Sequence, residues 1–221
     1  MDNSQILIIE NIKSDVKSFL SDDFSGHDYL HVCRVHNYAS HLQSVYGGDL
    51  FIISLSCLLH DVDDKKISPD TFNDKKNALS IMNKYSIDSD IIKTVIKIIE
   101  SISFSEGINV ETLEAKIVQD ADRIDAIGAI GIARCFSYAG FKHNAIYSTE
   151  DFCYSDLFKT DSALCHFFKK LLIVKDTINT EIARDEAVRR TRFLKTYLIQ
   201  LFDELELNKY GIDITELLDL K

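Results

Sequence analysis

The 221-residue chain is short of residues that break or staple a backbone. It has 8 glycines and 1 proline, and no glycine-rich or serine-rich run, internal repeat or low-complexity tract. With no linker marked, one compact domain over residues 1–221 is expected, and a chain of this length buries a sizeable core without covalent staples. Five cysteines, at 33, 57, 135, 153 and 165, include no C-x-x-C pair. An odd count without that spacing argues against a disulfide scaffold or a cysteine-based zinc knuckle and for a reducing compartment. Long apolar runs are missing too: the longest, Leu50 to Leu59, falls well short of the roughly 20 residues a bilayer span needs. The opening segment, MDNSQILIIENIKSD, has neither the basic start nor the small-residue cleavage site of a signal peptide. A cytoplasmic protein with no membrane partner is expected. Positive charge is scarce, with 25 Lys and Arg against 35 Asp and Glu, a formal charge of −10. That balance argues against a nucleic-acid-binding surface. An anionic substrate would need local positive charge against this field, and a metal ion is one source of it.

What is present is helical periodicity. Leu194, Tyr197, Leu198, Leu201, Phe202 and Leu205 recur at i, i+3, i+4 spacing, as do Ile91, Ile92, Val95, Ile98 and Ile99, with Asp88 as N-cap of the second stripe. Tyr46-Gly47-Gly48 reads as a helix end and Asp49 as the cap of the next helix. No stretch alternates with the period of a strand. The pattern predicts an all-α chain, with helices over 4–20, 27–46, 50–62, 72–85, 89–103, 112–127, 129–139, 161–176, 181–207 and 213–219, and Pro69 in a loop.

Three segments carry chemistry-bearing residues. GHDYLHVCRV holds His27 and His31, four apart and so on one helix face. LLHDVDDKK runs a buried helix into His60, Asp61 and a charge cluster, and VQDADRIDAIGA sets Asp120, Asp122 and Asp125 in apolar surroundings. Each has an ordinary reading: a histidine at a core edge, a solvated loop, an acidic residue serving a helix dipole. Taken together they ask for more. A carboxylate at Asp122, leading into AIGAIGIA, costs several kcal/mol unless it is paired or coordinated. Arg123 or Arg134 can pair with it; a metal ion satisfies His31, His60, Asp61 and Asp122 at once. Two imidazoles and two carboxylates suit one divalent ion such as Mn, Mg, Fe, Co or Ni, with positions left for water.

The order His, then His-Asp, then Asp resembles the signature of the HD superfamily of metal-dependent phosphohydrolases. Within it the chain is similar to the small single-domain bacterial nucleoside-triphosphate pyrophosphohydrolases. The likeness runs through GHDYLHVCRV, LLHDVDDKK, ESISFSEG, TLEAKIVQDADRIDAIGAIGIARCFSYAG and HFFKKLLIVKDTINTEIA, covering most of residues 26–183. It implies a single-domain helical bundle of the HD type with one divalent metal, manganese foremost, on His31, His60, Asp61 and Asp122. It selects His31 over His27, which the signature passes over. No histidine falls between 61 and 142, so the site is expected to be mononuclear, which also weakens a cyclic-dinucleotide phosphodiesterase reading.

The resemblance further implies Asp64 as the residue that positions or deprotonates water, and Lys66 as the recurrent lysine after it. Arg34 and Arg123 are candidates for phosphate oxygens or for orienting the ligands. His166, Lys170 and Lys175 are candidates for a polyphosphate, and Asp125 for a sugar hydroxyl or a ligand. Asp63 stands where the family leads one to expect a small residue, and is expected to add charge beside the site. The implied activity is hydrolysis of nucleoside or deoxynucleoside triphosphates to monophosphate and pyrophosphate. The alternatives are a nucleoside-monophosphate phosphatase and a helical module that binds a nucleotide without turnover. The partner is a small-molecule nucleotide, and a homodimer is admitted as the assembly.

Overall fold

The computed structural model describes residues 1–21, 26, 28–65, 67–102, 110–152, 160–206 and 213–219. The regular structure is all helix, with no strand among the described residues: α1 (Asn3–Phe19), α2 (Tyr29–Tyr46), α3 (Leu50–Leu59), α4 (Lys76–Lys84), α5 (Ser89–Ser101), α6 (Leu113–Asp125), α7 (Gly128–Phe141), a 3₁₀ turn (Thr149–Phe152), α8 (Ala163–Lys169), a 3₁₀ helix (Leu171–Thr177), α9 (Glu181–Glu204) and α10 (Ile214–Asp219). The all-α expectation holds. No single helix is long and apolar enough to cross a membrane.

The chain divides into two compact units, residues 1–123 and 124–221. In the first, α3 is the central helix, with α1, α2 and α5 packed on it. Its sequence, LFIISLSCLL, explains the position: Ile53, Leu55, Cys57 and Leu59 are fully buried, so apolar side chains meet neighbours all round the helix rather than on one stripe. Leu55, Leu58, Leu59, Val62, Ala78, Met82, Val95 and Ile99 belong to one apolar cluster with Ile12 and Val16 of α1. Truncating a core leucine such as Leu55 to alanine costs about 2–5 kcal/mol.

Short polar side chains set the helix starts. Asp2 and Gln5 form a capping box on α1. Asp49 Oδ1 accepts from the Phe51 and Ile52 amides, and Asp88 Oδ1 from Asp90. Gly47, at φ 81°, turns the chain between α2 and α3. Helix α6 is held at two heights: Glu114 Oε1 accepts the Asp49 amide at 3.0 Å, and Gln119 Nε2 donates to the Ser101 carbonyl at the end of α5, also at 3.0 Å.

In the second unit α7 and α8 pack together, and α9 packs against α7, α10 and the 3₁₀ helix. Leu194, Leu198 and Phe202 are fully buried, as their spacing predicts. AIGAIGIA needs its glycines: Gly128 has φ 78° with the Arg190 chain against it, and a Cβ at Gly131 would meet the Ala126 carbonyl at 2.2 Å. The predicted helix over 161–176 is broken at Lys170 (φ −136°, ψ −59°) and continues as 3₁₀. Periods of 3.6 and 3.0 do not separate over two turns, which is why the apolar pattern joined them. Residues 72–75, expected to open the helix over 72–85, are turns instead.

One buried contact makes the fold sensitive to acid. His36 Nε2 on α2 lies 3.1 Å from Ser54 Oγ on α3. Burial, helped by the charge of Lys13 and opposed by that of Glu10, lowers the pKa of His36 to about 4. A base whose folded pKa lies below its ordinary value of 6.5 takes up protons more readily when unfolded, so stability is full above that value and is lost as pH falls through about 4. Urea unfolding at pH 7 and pH 5 is expected to show a smaller loss on acidification in His36→Gln than in the parent; equal losses would remove His36 from this role.

Candidate metal centre

Three helices of the first unit each deliver a piece of the site. Asp28 caps α2 by accepting the His31 amide at 2.8 Å, so His31 lies in the first turn with its backbone fixed. His60 is the C-cap of α3, at φ −64° and ψ −33°, and Asp61 opens the turn that follows. Asp122 sits in the last turn of α6.

The side chains converge. His31 Nε2 lies 3.1 Å from His60 Nε2, 3.3 Å from Asp61 Oδ2 and 3.4 Å from Asp122 Oδ1. His60 Nε2 lies 3.4 Å from Asp61 Oδ1 and 3.8 Å from Asp122 Oδ1. Ligands roughly 2.0–2.2 Å from one ion sit about 3.0–3.5 Å from each other, close to the spacing found here. His31, His60 and Asp122 alone offer three ligand atoms within 4.8 Å of one another.

Protonation gives an independent indication. His60 Nδ1 is 2.8 Å from the Cys57 carbonyl oxygen, which can only accept, so Nδ1 carries the proton and donates it. In the neutral ring Nε2 then presents its lone pair to His31 Nε2. Two nitrogens aimed at each other from 3.1 Å need a proton or a cation between them. A backbone carbonyl holding Nδ1–H is the usual support for an imidazole that ligates through Nε2.

The electrostatics agree. Burial works against the charged form of Asp122, but the hydrogen bond from His31 and the charges of His60 and His31 outweigh burial and the repulsion of Asp61, leaving its pKa well below the ordinary value. The Asp122 side chain is 29% exposed while those of His31 and His60 are 1% and 4% exposed, so solvent reaches the cluster at Asp122. Burial, then the charge of Asp122, pushes the pKa of the neighbouring Cys57 thiol far up. The donor set therefore fits a divalent ion of oxygen and imidazole preference.

The remaining predicted residues divide. Asp64 is half-buried in the same turn, its amide donating to the Asp61 carbonyl at 3.0 Å. Arg34 lies one turn beyond His31 on α2, half-buried. Arg123 is 7% exposed; burial lowers its pKa, and the carboxylates of Asp120 and Asp122 act against that. Asp125 belongs to the second unit, where Arg134 Nη1 donates to its Oδ2 at 3.0 Å and to its carbonyl at 3.3 Å. Arg134, expected as a protein partner for Asp122, is thus the partner of Asp125. His166, exposed on α8, Lys170 and Lys175 also belong to the second unit, and Lys175 pairs with Asp176 at 2.7 Å. His27 and Lys66 lie outside the described residues.

Asp63 corrects an expectation. It does not add free charge beside the cluster: it is 1% exposed and accepts the Asn77 and Ala78 amides at the start of α4. Sequence reasoning also missed Asp28, whose place before an apolar-periodic run is an N-cap signal, and the Cys57 carbonyl, which leaves no mark in a sequence.

An HD-domain family model matches residues 28–127. The uncharacterized protein YpgQ of Bacillus subtilis is 38% identical over 214 residues, covering 92% of this chain and 95% of that protein. The crystal structure of B. subtilis YpgQ in complex with ADP matches with a TM-score of 0.70 at 37% identity, over 89% of this chain and 97% of that one. An HD-superfamily hydrolase from Bacillus thuringiensis matches with a TM-score of 0.69 at 36% identity, over 91% and 98% of the two chains.

Alanine at His31, His60 or Asp61 is expected to abolish stoichiometric Mn binding in calorimetric titration while far-UV circular dichroism stays helical. Asp122→Asn should fold and bind Mn more weakly, since the amide keeps the shape of this partly exposed side chain but removes an anionic ligand. Full Mn affinity in His60→Ala would remove this cluster as the metal centre.

Proposed function

The chain belongs to the HD superfamily of metal-dependent phosphohydrolases, and on that premise we propose that it hydrolyses nucleoside or deoxynucleoside triphosphates to monophosphate and pyrophosphate. The observation that carries the proposal is the convergence of His31, His60, Asp61 and Asp122 with His60 Nδ1–H held by Cys57, an arrangement built to present ligating atoms. A nucleotide substrate is supported by the ADP bound to YpgQ, a relative similar along most of its length.

A divalent ion on these four residues, manganese in our assignment, supplies Lewis acidity that acidifies water and offsets charge on phosphoryl oxygens. The chain's own residues do the rest. To Asp64, in the turn closed on Asp61, we assign the role of accepting a proton from the attacking water. Two ligand carboxylates neutralise a divalent ion, so a polyphosphate needs further cations, and we assign that role to Arg34, Arg123 and Lys66, the arginines through bidentate contacts. From the resemblance we propose Asp125 for a sugar hydroxyl and His166, Lys170 and Lys175 for a polyphosphate as separate assignments on the second unit, where Asp125 pairs with Arg134 and Lys175 with Asp176. The proposal carries the cytoplasm as compartment, supported by the free thiols of Cys33, Cys57, Cys135 and Cys165.

The test is product analysis in ¹⁸O-water with Mn and a mixture of triphosphates. Pyrophosphate is expected to appear in step with monophosphate, with the label in the monophosphate, as attack at the α-phosphorus requires. Nucleoside diphosphate and orthophosphate as first products would contradict the proposal. Asp122→Asn is expected to lower turnover at least about a hundredfold, roughly 3 kcal/mol of barrier.

A further inference from the structure

The turn after His60 carries a buried carboxylate that does not face the ligand cluster's work. Asp63 stands two residues after Asp61 and one before Asp64, and is 1% exposed. Its Oδ1 accepts the Asn77 amide at 3.1 Å and its Oδ2 the Ala78 amide at 2.8 Å. Those amides belong to the first turn of α4, whose N-cap, Lys75, has a left-handed backbone (φ 51°) and provides no side-chain cap. Asp63 therefore does from another loop what a local cap residue ordinarily does: it satisfies two amides that the helix itself leaves without acceptors, and it places negative charge at the positive end of the helix.

The contact is reciprocal. Asn77 Nδ2 donates to the Val62 carbonyl at 3.1 Å and to Thr71 Oγ1 at 2.9 Å. The Val62 side chain is fully buried in the apolar cluster that includes Leu58, Leu59, Ala78 and Met82. The dipeptide Val62-Asp63 is thus held by side-chain packing, by a carbonyl and by a carboxylate, all on α4 or on the core beneath it. The metal ligand Asp61 hangs on one side of this anchored pair and Asp64 on the other, with the Asp64 amide bonded back to the Asp61 carbonyl. His60 is the C-cap of α3, and the turn lies beyond the end of that helix.

We propose that Asp63 is a positioning residue for the metal centre: by capping α4 it locks the turn that presents Asp61 to the ion and Asp64 to the water. The inference rests on the metal-dependent reading above and adds the element that holds one ligand in register. Ligand geometry must be kept to a fraction of an ångström for full affinity, and partners that orient ligands typically contribute about 10–100-fold.

The test compares two lost caps. Asp88→Ala removes the cap of α5, which makes no use of the turn's residues; Asp63→Ala removes the cap of α4. Both are expected to lower the melting temperature. Only Asp63→Ala should weaken Mn binding, measured by titration calorimetry well below melting, by about tenfold or more. Asp63→Asn, which keeps an oxygen acceptor for one amide, should fall between it and the parent, and Asn77→Ala, which frees the Val62 carbonyl, should weaken Mn binding in the same direction. Should Asp63→Ala fail to fold, these two variants make the same comparison. Parent-like Mn affinity in the Asp63 and Asn77 variants, with only the melting temperature lowered, overturns the proposal. The parent and His60→Ala in the same titration test the metal reading itself: Mn bound by the parent, lost in His60→Ala and indifferent to Asp63 rejects the role of Asp63 alone.

Discussion

A backbone carbonyl has no proton to give, so the 2.8 Å contact between His60 Nδ1 and the Cys57 oxygen determines where the proton of His60 resides. The rest of the site follows from it. Helix α3 leaves its last carbonyls without intrahelical donors, and the imidazole at the C-cap satisfies one of them. The same bond orients the ring and turns the Nε2 lone pair toward His31. Ending the helix and aiming the ligand are one interaction, which is why the histidine stands where the helix stops. Placed one turn earlier, it would find the carbonyl already engaged in the helix.

Around that bond the first unit is arranged to hold three helices in register. Asp28 secures the His31 end of α2, and Asp49 opens α3. Glu114, bonded to the Asp49 amide, ties the start of α6 to the α2–α3 turn, and Gln119 ties its middle to α5. Each is a carboxylate or amide meeting a backbone group at a helix end. The acidic composition thus has a structural use beyond the candidate ligands Asp61 and Asp122: several of the aspartates are caps. The central helix, buried all round, gives His60 a rigid base from which only its polar tip faces the cluster.

Much of this was legible in the sequence. The helix pattern follows from apolar spacing, and the Gly47-Gly48-Asp49 junction from the chemistry of turns and caps. The four candidate ligands were picked out because an aspartate leading into an apolar run at 122 asks for a partner and two histidines and a His-Asp pair could share one; the side chains do converge, with that of Asp122 29% exposed rather than buried. What was illegible has a physical reason in each case. The carbonyl of Cys57 is backbone and has no letter of its own. Asp63 looked like site charge because its partners, the amides of Asn77 and Ala78, lie fourteen and fifteen residues away in sequence. The pairing of Asp125 with Arg134 was not visible in the sequence because it bridges two helices. The break at Lys170 is hidden by the near-equality of α and 3₁₀ periods over a short run.

The central claim is that His31 and His60 turn their Nε2 atoms onto one cation. Pulsed electron paramagnetic resonance on the Mn-loaded protein, made with ¹⁵N-histidine, measures this directly. Two directly bound imidazole nitrogens per ion are predicted. An ion surrounded only by water and carboxylate oxygens would contradict the account.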